Sequence, residues 1–277
     1  MSDSWTVLKE WPGLILEQLD DAGVARITLN RPEKRNCWNE DMHLGFFESL
    51  DIIRADKEIK AVITRGAGKA FSSGLDLAYL RASNQGPVRD FDRPGLTIQL
   101  GEAIRWFPRI MIAQVHGYVL GGAFAVMNCH DLVFGANDVE IGMPEIMRGS
   151  FGQFITATLL HSGVPIKKHA WLQLTGNNVT GEEADRLGII SKAVPADELE
   201  TFTVQIAREL STRHLAPLEH AKITVQMGRD LTYSQAIQLD GLVSQRMRRT
   251  MDPLDDVENY LASQKGGPNV HYKRGDV

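Results

Sequence analysis

The stretch IMIAQVHGYVLGGAFAVMN, residues 110–128, decides the fold class of this chain. Residues 110–115 form a short apolar run of the kind found in buried strands. A glycine-rich turn follows, and residues 122–128 are small and apolar, which favours a helix. A strand that passes through a tight turn into a helix is the repeating unit of α/β proteins with parallel strands.

The same alternation continues on both sides of this stretch. Strand patterns occupy residues 13–19, 24–29, 61–65 and 132–136, and helical patterns occupy residues 39–55 and 98–107. From residue 151 onward the pattern is mostly helical, with a strand predicted at 189–194 and helices at 202–213 and 217–227. We therefore predict an α/β core formed by residues 1–195 and a helical C-terminal region with a tail, residues 196–277.

Composition and charge argue against several classes of function. The 277 residues carry a formal net charge of -5, which disfavours a nucleic-acid partner. No apolar run reaches the roughly 18 residues that span a membrane, and the N-terminus lacks a signal-peptide pattern. The two cysteines, Cys37 and Cys129, have neither metal-ligand spacing nor the number of a disulfide framework. We expect a cytoplasmic protein with no metal site, no membrane segment and no nucleic-acid partner.

Two glycine loops are candidates for binding an oxyanion. In FSSGLDL, residues 71–77, the amide of Leu75 follows a glycine, and in LGGAF, residues 120–124, the amide of Gly122 does the same. Each amide opens a predicted helix, where N–H groups lack intrahelical acceptors and carry a partial positive charge. Two such amides aimed at one point would form an oxyanion hole. The alternative is that both glycines only permit tight turns.

Five separated motifs in this sequence resemble those of one family, in the same order and at similar spacing. They are LNRPEKRN at 29–36, GAGKAFSSGLDL at 66–77, VHGYVLGGAF at 115–124, GMPEI at 142–146 and LTGNNVTGEEADRLGIISKAVPADEL at 174–199. The chain thereby resembles the crotonase, or enoyl-CoA hydratase/isomerase, family. The resemblance implies a spiral of ββα units with a helical C-terminal region that forms homotrimers, often paired into dimers of trimers.

The resemblance also implies a binding site for an acyl-CoA substrate. The Leu75 and Gly122 amides would hold the thioester carbonyl oxygen. The residues expected to bind the CoA half are Lys34, Arg35 and Cys37 in one loop and Lys69 and Ala70 in another. Tyr79 and Phe124 are expected to shape the acyl pocket. No cofactor is implied other than the coenzyme A that forms part of the substrate.

The acid–base residues depart from the usual pattern of the family. Typical hydratases use two glutamates, and this chain has Ala125 at the first position and Glu145 at the second. The glycine run that follows the second glutamate in typical hydratases is replaced here by GSFGQF, residues 149–154. The apolar neighbours of Glu145 predict burial and a raised pKa. One carboxylate with an oxyanion hole suffices for double-bond isomerisation or for single-glutamate hydration; the alternative for Glu145 is a surface or helix-capping role.

Other reactions stay open at this point. Single-glutamate members include hydroxycinnamoyl-CoA hydratase-lyases, which the RPEKRN loop resembles, although Ala125 replaces their expected serine and Leu80 their loop tyrosine. Trp38 and His43 have the spacing of a pair in relatives that hydrolyse a C–C bond of cyclic β-diketones or ring ketones. The alternative is that Trp38 packs in the core and His43 lies on an exposed helix face. A CoA-binding protein with degraded catalysis is the remaining hypothesis.

Overall fold

The structure is a computed structural model that describes residues 3–85 and 94–249. Its strands are β1 Trp5–Trp11, β2 Leu14–Leu19, β3 Val24–Leu29, β4 Ala61–Gly66, β5 Ile110–Val115, β6 Tyr118–Leu120, β7 Leu132–Ala136, β8 Glu140–Gly142 and β9 Lys192–Val194. Its α-helices are α1 Glu40–Ala55, α2 Leu77–Gln85, α3 Leu96–Arg105, α4 Gly122–Met127, α5 Gln153–His161, α6 Ile166–Thr175, α7 Gly181–Arg186, α8 Leu199–Ser211, α9 Leu215–Gly228 and α10 Tyr233–Arg248. Two 3₁₀ helices span Pro32–Lys34 and Pro144–Arg148.

A seven-stranded sheet in the order β1-β2-β3-β4-β5-β7-β9 forms the main layer. Strands β1, β2 and β3 pair antiparallel, and every later pairing in this sheet is parallel. The central strands β3, β4 and β5 are buried along almost their whole length. Burial on both faces is typical of strands in a parallel sheet that is covered by helices.

A second, smaller layer of strands accompanies the main sheet. Strands β6 and β8 pair in parallel, and single bridges add Ser72 to Val119 and Val179 to Ile141. Along the chain, β5 is followed by β6 and α4, and β7 is followed by β8 and the 3₁₀ helix Pro144–Arg148. Each repeat therefore contributes one strand to each layer and then a helix. This confirms the predicted α/β spiral of ββα units.

Helix α1 shows how local sequence fixes these elements. Asn39 caps the helix, because its side-chain oxygen accepts a hydrogen bond from the Met42 amide at 3.1 Å. Its fully buried apolar face includes Met42, Phe46 and Ile53, which recur at helical spacing. Leu44, an apolar residue of the same helix, is exposed.

The chain divides into the units Met1–His214 and Leu215–Val277. The predicted boundary after residue 195 lies before α8, but α8 packs against β3, β4, β5 and β7 and so belongs with the first unit. Phe202 of α8 meets Phe134 of β7 edge to face at 5.1 Å. In the second unit α9 packs against α10. Residues 250–277, which contain the predicted tail, lie outside the described residues.

None of the helices in residues 3–85 and 94–249 combines the length and the apolar character that crossing a membrane requires.

Candidate active site

The loop that carries Leu75 is held in place by Trp38. The Trp38 amide donates to the Gly74 carbonyl at 2.8 Å, and the Asp76 amide donates to the Trp38 carbonyl at 2.9 Å. These two bonds use backbone groups on either side of Leu75, so the Leu75 amide takes no part in them. Gly74 has a φ of 99°, and a Cβ there would lie 2.7 Å from the Leu120 carbonyl oxygen. Glycine is therefore required at this turn.

The second loop enters α4 through Gly121. Its φ of 56° and ψ of -130° form a combination that only glycine adopts without strain. Gly122 is the first residue of the helix, so its amide has no acceptor within the helix. A Cβ on Gly122 would lie 3.1 Å from the Leu75 Cγ, which shows that the two turns are adjacent. The structure thus brings together Leu75 and Gly122.

Glu145 lies against the second turn. It belongs to the 3₁₀ helix Pro144–Arg148, and its Oε1 atom would be 2.6 Å from a Cβ placed on Gly121. The buried Oε2 atom has no hydrogen-bond partner in the described part of the chain. Burial raises the pKa of Glu145, and a backbone hydrogen bond and the charge of Arg148 partly offset this effect. A carboxyl with a raised pKa therefore stands beside the turns of Leu75 and Gly122.

A cavity of about 520 Å³ opens onto these groups. Leu75, Gly122 and Glu145 all line it. Much of the remaining wall is apolar and comes from α2, α3 and α5: Leu77, Leu80, Leu96, Ile98, Phe154 and Ile155. Besides Glu145, polar residues also line the cavity, namely Ser73, Tyr79, Thr97, Arg148, Ser150 and Gln153. Such a cavity suits a largely apolar acyl group that carries a polar feature.

Three residues predicted to shape the acyl pocket or to take part in catalysis do not line this cavity. Phe124 is fully buried on α4, so it supports the site from the core instead of contacting an acyl group. Trp38 is also fully buried, as its core-packing interpretation requires. His43 is buried as well, and the expectation that it lies on an exposed helix face is wrong. Its Nδ1 lies 2.7 Å from the Asn39 carbonyl oxygen and its Nε2 lies 3.1 Å from Thr97 Oγ1.

The loops predicted to bind the CoA half meet at Asn36. This side chain is fully buried at a φ of 53°, and its Nδ2 atom donates to the carbonyls of Ala67 and Ala70, both at 2.8 Å. Its Oδ1 atom accepts from the Arg31 amide at 2.9 Å. Asn36 therefore ties the loop of Lys34 and Arg35 to the loop of Lys69 and Ala70.

The side chains in these two loops differ in accessibility. Lys34, Arg35 and Lys69 are exposed, whereas Ala70 is buried. Cys37 is partly buried with its Sγ atom 3.5 Å from Asp76, and burial, followed by the Asp76 charge, raises the pKa of the thiol. The exposed cations could contact phosphate groups, and Cys37 is held as a neutral thiol.

Sequence reasoning missed Asn36 and Thr97. The sequence did contain a signal for Asn36. This residue directly follows the turn-forming run RPEKR, and asparagine is enriched among the non-glycine residues that adopt a positive φ. Thr97 had none, because its link to His43 joins residues 54 positions apart in two different helices.

Comparisons with a family model and with curated proteins all match this chain to enzymes that act on CoA thioesters. A family model described as enoyl-CoA hydratase/isomerase matches residues 20–261. The chain is 27% identical to hydroxycinnamoyl-CoA hydratase-lyase from Pseudomonas fluorescens over 216 residues, covering 77% of this chain and 78% of that protein. It is 26% identical to 1,2-epoxyphenylacetyl-CoA isomerase from Escherichia coli over 249 residues, covering 88% and 94% of the two chains.

Solved structures share the fold. An enoyl-CoA hydratase from Mycobacterium smegmatis superposes with a TM-score of 0.81 at 24% identity, covering 94% of this chain and all of that one. The enoyl-CoA hydratase subunit I from Geobacillus kaustophilus superposes with a TM-score of 0.83 at 22% identity, covering 96% of this chain. At these identities the likeness establishes the fold.

Proposed function

Since the chain belongs to the enoyl-CoA hydratase/isomerase family, also called the crotonase family, we propose that it hydrates or isomerises an enoyl-CoA through an enolate, with Glu145 as its single acid–base carboxylate. The observation that carries this proposal is the position of Glu145. Its carboxyl lies against the Gly121 turn, beside the Leu75 turn, and lines the same cavity as both amides.

In this mechanism the Leu75 and Gly122 amides donate hydrogen bonds to the thioester carbonyl oxygen. The bonds strengthen as negative charge develops on that oxygen, so they stabilise the enolate more than the substrate. Isomerisation then requires Glu145 to remove a proton from one carbon and return it to another. Its raised pKa moves the carboxyl closer to the range that suits proton transfer near neutral pH.

Hydration is the second reaction open to this site. Glu145 would take a proton from water as its oxygen adds to the β-carbon, and a proton would be delivered to the α-carbon of the enolate. Ala125 is fully buried and cannot share this task, so one carboxyl would perform both transfers. The relatives named above carry hydroxycinnamoyl-CoA and 1,2-epoxyphenylacetyl-CoA in their names, which favours an acyl group that contains a six-membered carbon ring.

The CoA half of the substrate would lie along the loops joined by Asn36. Lys34, Arg35 and Lys69 are the exposed cations for its phosphates, with Cys37 and Ala70 beside them. We propose that the reaction needs no cofactor beyond this CoA. Two free thiols in the chain suit the reducing cytoplasm, where we propose that the enzyme acts as a homotrimer or a dimer of trimers.

Hydrolysis of a C–C bond is the weaker alternative. It would use His43 to activate water, but the His43 ring is buried and both of its nitrogens lie within hydrogen-bond distance of protein atoms. A CoA-binding protein without catalysis is also weaker, because a buried carboxyl with a raised pKa is costly to keep when it has no function.

The test is turnover of a panel of aliphatic and aromatic enoyl-CoA thioesters by the wild type and by Glu145→Gln. Gln keeps the side-chain shape but cannot accept the proton, so we expect kcat to fall about a thousandfold while CoA affinity is unchanged. Glu182→Gln, on the exposed face of α7, is the matched control and should behave as wild type. A wild type that binds CoA but transforms no thioester would contradict the proposal.

A further inference from the structure

Thr97 is a polar side chain in the cavity wall formed by α2 and α3. It lies in the first turn of α3 between Leu96 and Ile98, and all three residues line the cavity. Its hydroxyl oxygen is 3.1 Å from His43 Nε2. Thr97 therefore lines the cavity while its hydroxyl contacts a buried imidazole.

The position of the proton in this pair follows from the far side of the His43 ring. Nδ1 lies 2.7 Å from the Asn39 carbonyl oxygen, and a carbonyl only accepts hydrogen bonds, so Nδ1 carries a proton. Burial lowers the pKa of His43, which leaves the ring neutral and Nε2 without a proton. Nε2 must then accept its hydrogen bond from the Thr97 hydroxyl.

The His43 ring is fixed in this orientation by its neighbours. Its centroid is 5.2 Å from that of Trp38 and 5.7 Å from that of Tyr79, and the residue is fully buried. A threonine hydroxyl has one proton and two lone pairs, and the proton is committed to His43. Thr97 therefore presents only hydrogen-bond acceptor sites to the cavity.

We propose that Thr97, oriented by His43, determines substrate specificity by accepting a hydrogen bond from a hydroxyl group on the acyl chain, so that the preferred substrate is a hydroxylated acyl-CoA. This inference rests on the proposed function and deepens it. Arg148 lines the same cavity, and its positive charge disfavours an ammonium group as the donor. Thr97 belongs to α3, whereas Glu145 and the Leu75 and Gly122 amides belong to other elements, and we assign Thr97 to binding of the acyl chain.

The test compares kcat/KM for thioesters that differ by one hydroxyl. The probes are cinnamoyl-CoA with a hydroxyl at the ortho, meta or para position, and a six-carbon enoyl-CoA with a hydroxyl on each of its last three carbons. Each is measured beside its deoxy parent and its methyl ether. We expect the wild type to have about tenfold higher kcat/KM for one hydroxylated thioester than for its deoxy parent or its methyl ether, because only the hydroxylated thioester donates a hydrogen bond to Thr97.

Thr97→Val keeps the shape of the side chain and removes the acceptor. It should lower kcat/KM for the preferred hydroxylated thioester about tenfold relative to its deoxy parent, so that the preference disappears. Thr97→Ser keeps the hydroxyl and should keep the preference. His43→Phe releases the Thr97 proton, so the methyl ether, which can only accept, should gain relative to the hydroxylated thioester.

The inference is overturned if wild type prefers no hydroxylated member. It is equally overturned if Thr97→Val lowers kcat/KM for hydroxylated and deoxy thioesters alike, which would indicate a role with water or in packing. If the wild type turns over none of these thioesters, the proposed function fails. Calorimetric affinities of the same pairs for wild type and Thr97→Val then decide the hydroxyl preference independently.

Discussion

Glu145 is half-buried with its Oε2 atom out of water, and the burial that raises its pKa also weakens the fold. Because its pKa is raised in the folded state, the protonated form is favoured on folding. The wild type therefore loses stability as the pH rises from below the pKa of Glu145 in the unfolded chain to above its raised pKa in the folded protein. Glu145→Gln does not titrate, so its melting temperature should exceed that of wild type by an amount that grows with pH.

Thermal unfolding of both proteins between pH 4 and pH 8 checks this prediction, and Glu10→Gln provides the control. Glu10 is an exposed residue of β1, so its replacement should leave the pH dependence of the melting temperature unchanged. A Glu145→Gln protein that is less stable than wild type at the alkaline end would show that the carboxylate has a stabilising partner.

Arg148 lies three residues after Glu145 in a 3₁₀ helix, where side chains three apart are eclipsed. Its charge lowers the pKa of Glu145 against the larger effect of burial. Arg148→Met should therefore raise that pKa further and move the acid limb of the kcat/KM profile to higher pH, while Arg148→Lys should leave the limb near its wild-type position. If the acid limb of the Arg148→Met profile does not move, a group other than Glu145 controls the pH dependence of kcat/KM.

The sequence predicts Glu145 but not Thr97 for a physical reason. The apolar neighbours Met143 and Pro144 already imply a carboxyl shielded from water, and Glu145 is half-buried, although Ile146 is 40% exposed. The acceptor character of Thr97 depends on the packing of α1 against α3, which no local pattern encodes.

The Gly121 turn is the element on which the site depends. Gly121→Ala would force a non-glycine residue into a strained backbone conformation and bring a methyl group within 2.6 Å of Glu145 Oε1. We expect a loss of about 1–3 kcal/mol of stability from the backbone alone, together with a large loss of kcat from the displaced carboxyl. Denaturant unfolding and steady-state kinetics measure the two effects.

Gly163→Ala separates backbone strain from the collision. Gly163 has a φ of 85°, but a Cβ there would meet no atom within 4 Å. This variant should lose stability of the order of 1 kcal/mol and keep full activity. Equal kinetic losses in both variants would refute the assignment of the Gly121 effect to Glu145.

Asn36 links two loops, and it affects stability both through its side-chain hydrogen bonds and through its left-handed backbone conformation. Asn36→Ala removes three buried or part-buried hydrogen bonds to backbone groups of Arg31, Ala67 and Ala70, which should cost about 3 kcal/mol. Asn36→Gly removes the same bonds but tolerates the φ of 53°, so it should be about 1 kcal/mol more stable than the alanine variant. Denaturant unfolding measures both; equal stabilities would mean that the left-handed backbone carries no strain.

The central elements could be predicted from the sequence and the peripheral ones could not. Strands β3 and β5 are short, mostly apolar runs bounded by turn residues, and their positions agree with prediction to the residue. Strand β1 is an exposed edge strand that carries Lys9 and Glu10, and its pattern lacks the buried alternation that signals a strand. Strands β6 and β8 have three residues each, too few to show a period.

The division of the whole chain depends on tertiary packing. Helix α8 follows Pro195 and looks like the start of a helical region, but its buried face, which includes Leu199, Thr203 and Val204, packs against the sheet. Amphipathic periodicity gives the face of a helix and not its partner. For this reason the sequence predicts the helix but places the boundary between the two units after residue 195, whereas the structure places it after His214.

Exposed apolar side chains on both units predict that the chain self-associates. On α6 of the first unit Trp171 is 51% exposed and Leu174 is 71% exposed, and on α10 of the second unit Leu242 is 67% exposed. Large apolar groups in water favour burial against another surface, and the family resemblance implies a second copy of this chain as that surface. Light scattering should give a mass that is a multiple of three times 30.8 kDa.

Charge introduced at these positions should oppose association, because an interface would have to desolvate it. We expect Leu174→Glu and Leu242→Glu to shift the wild-type assembly towards 30.8 kDa monomers. Leu44→Glu is the control, since Leu44 is an exposed apolar residue on α1 and its replacement should leave the mass unchanged. A wild-type chain that is monomeric at micromolar concentration would contradict the predicted trimer, and an unchanged mass in either variant would exclude that helix from the interface.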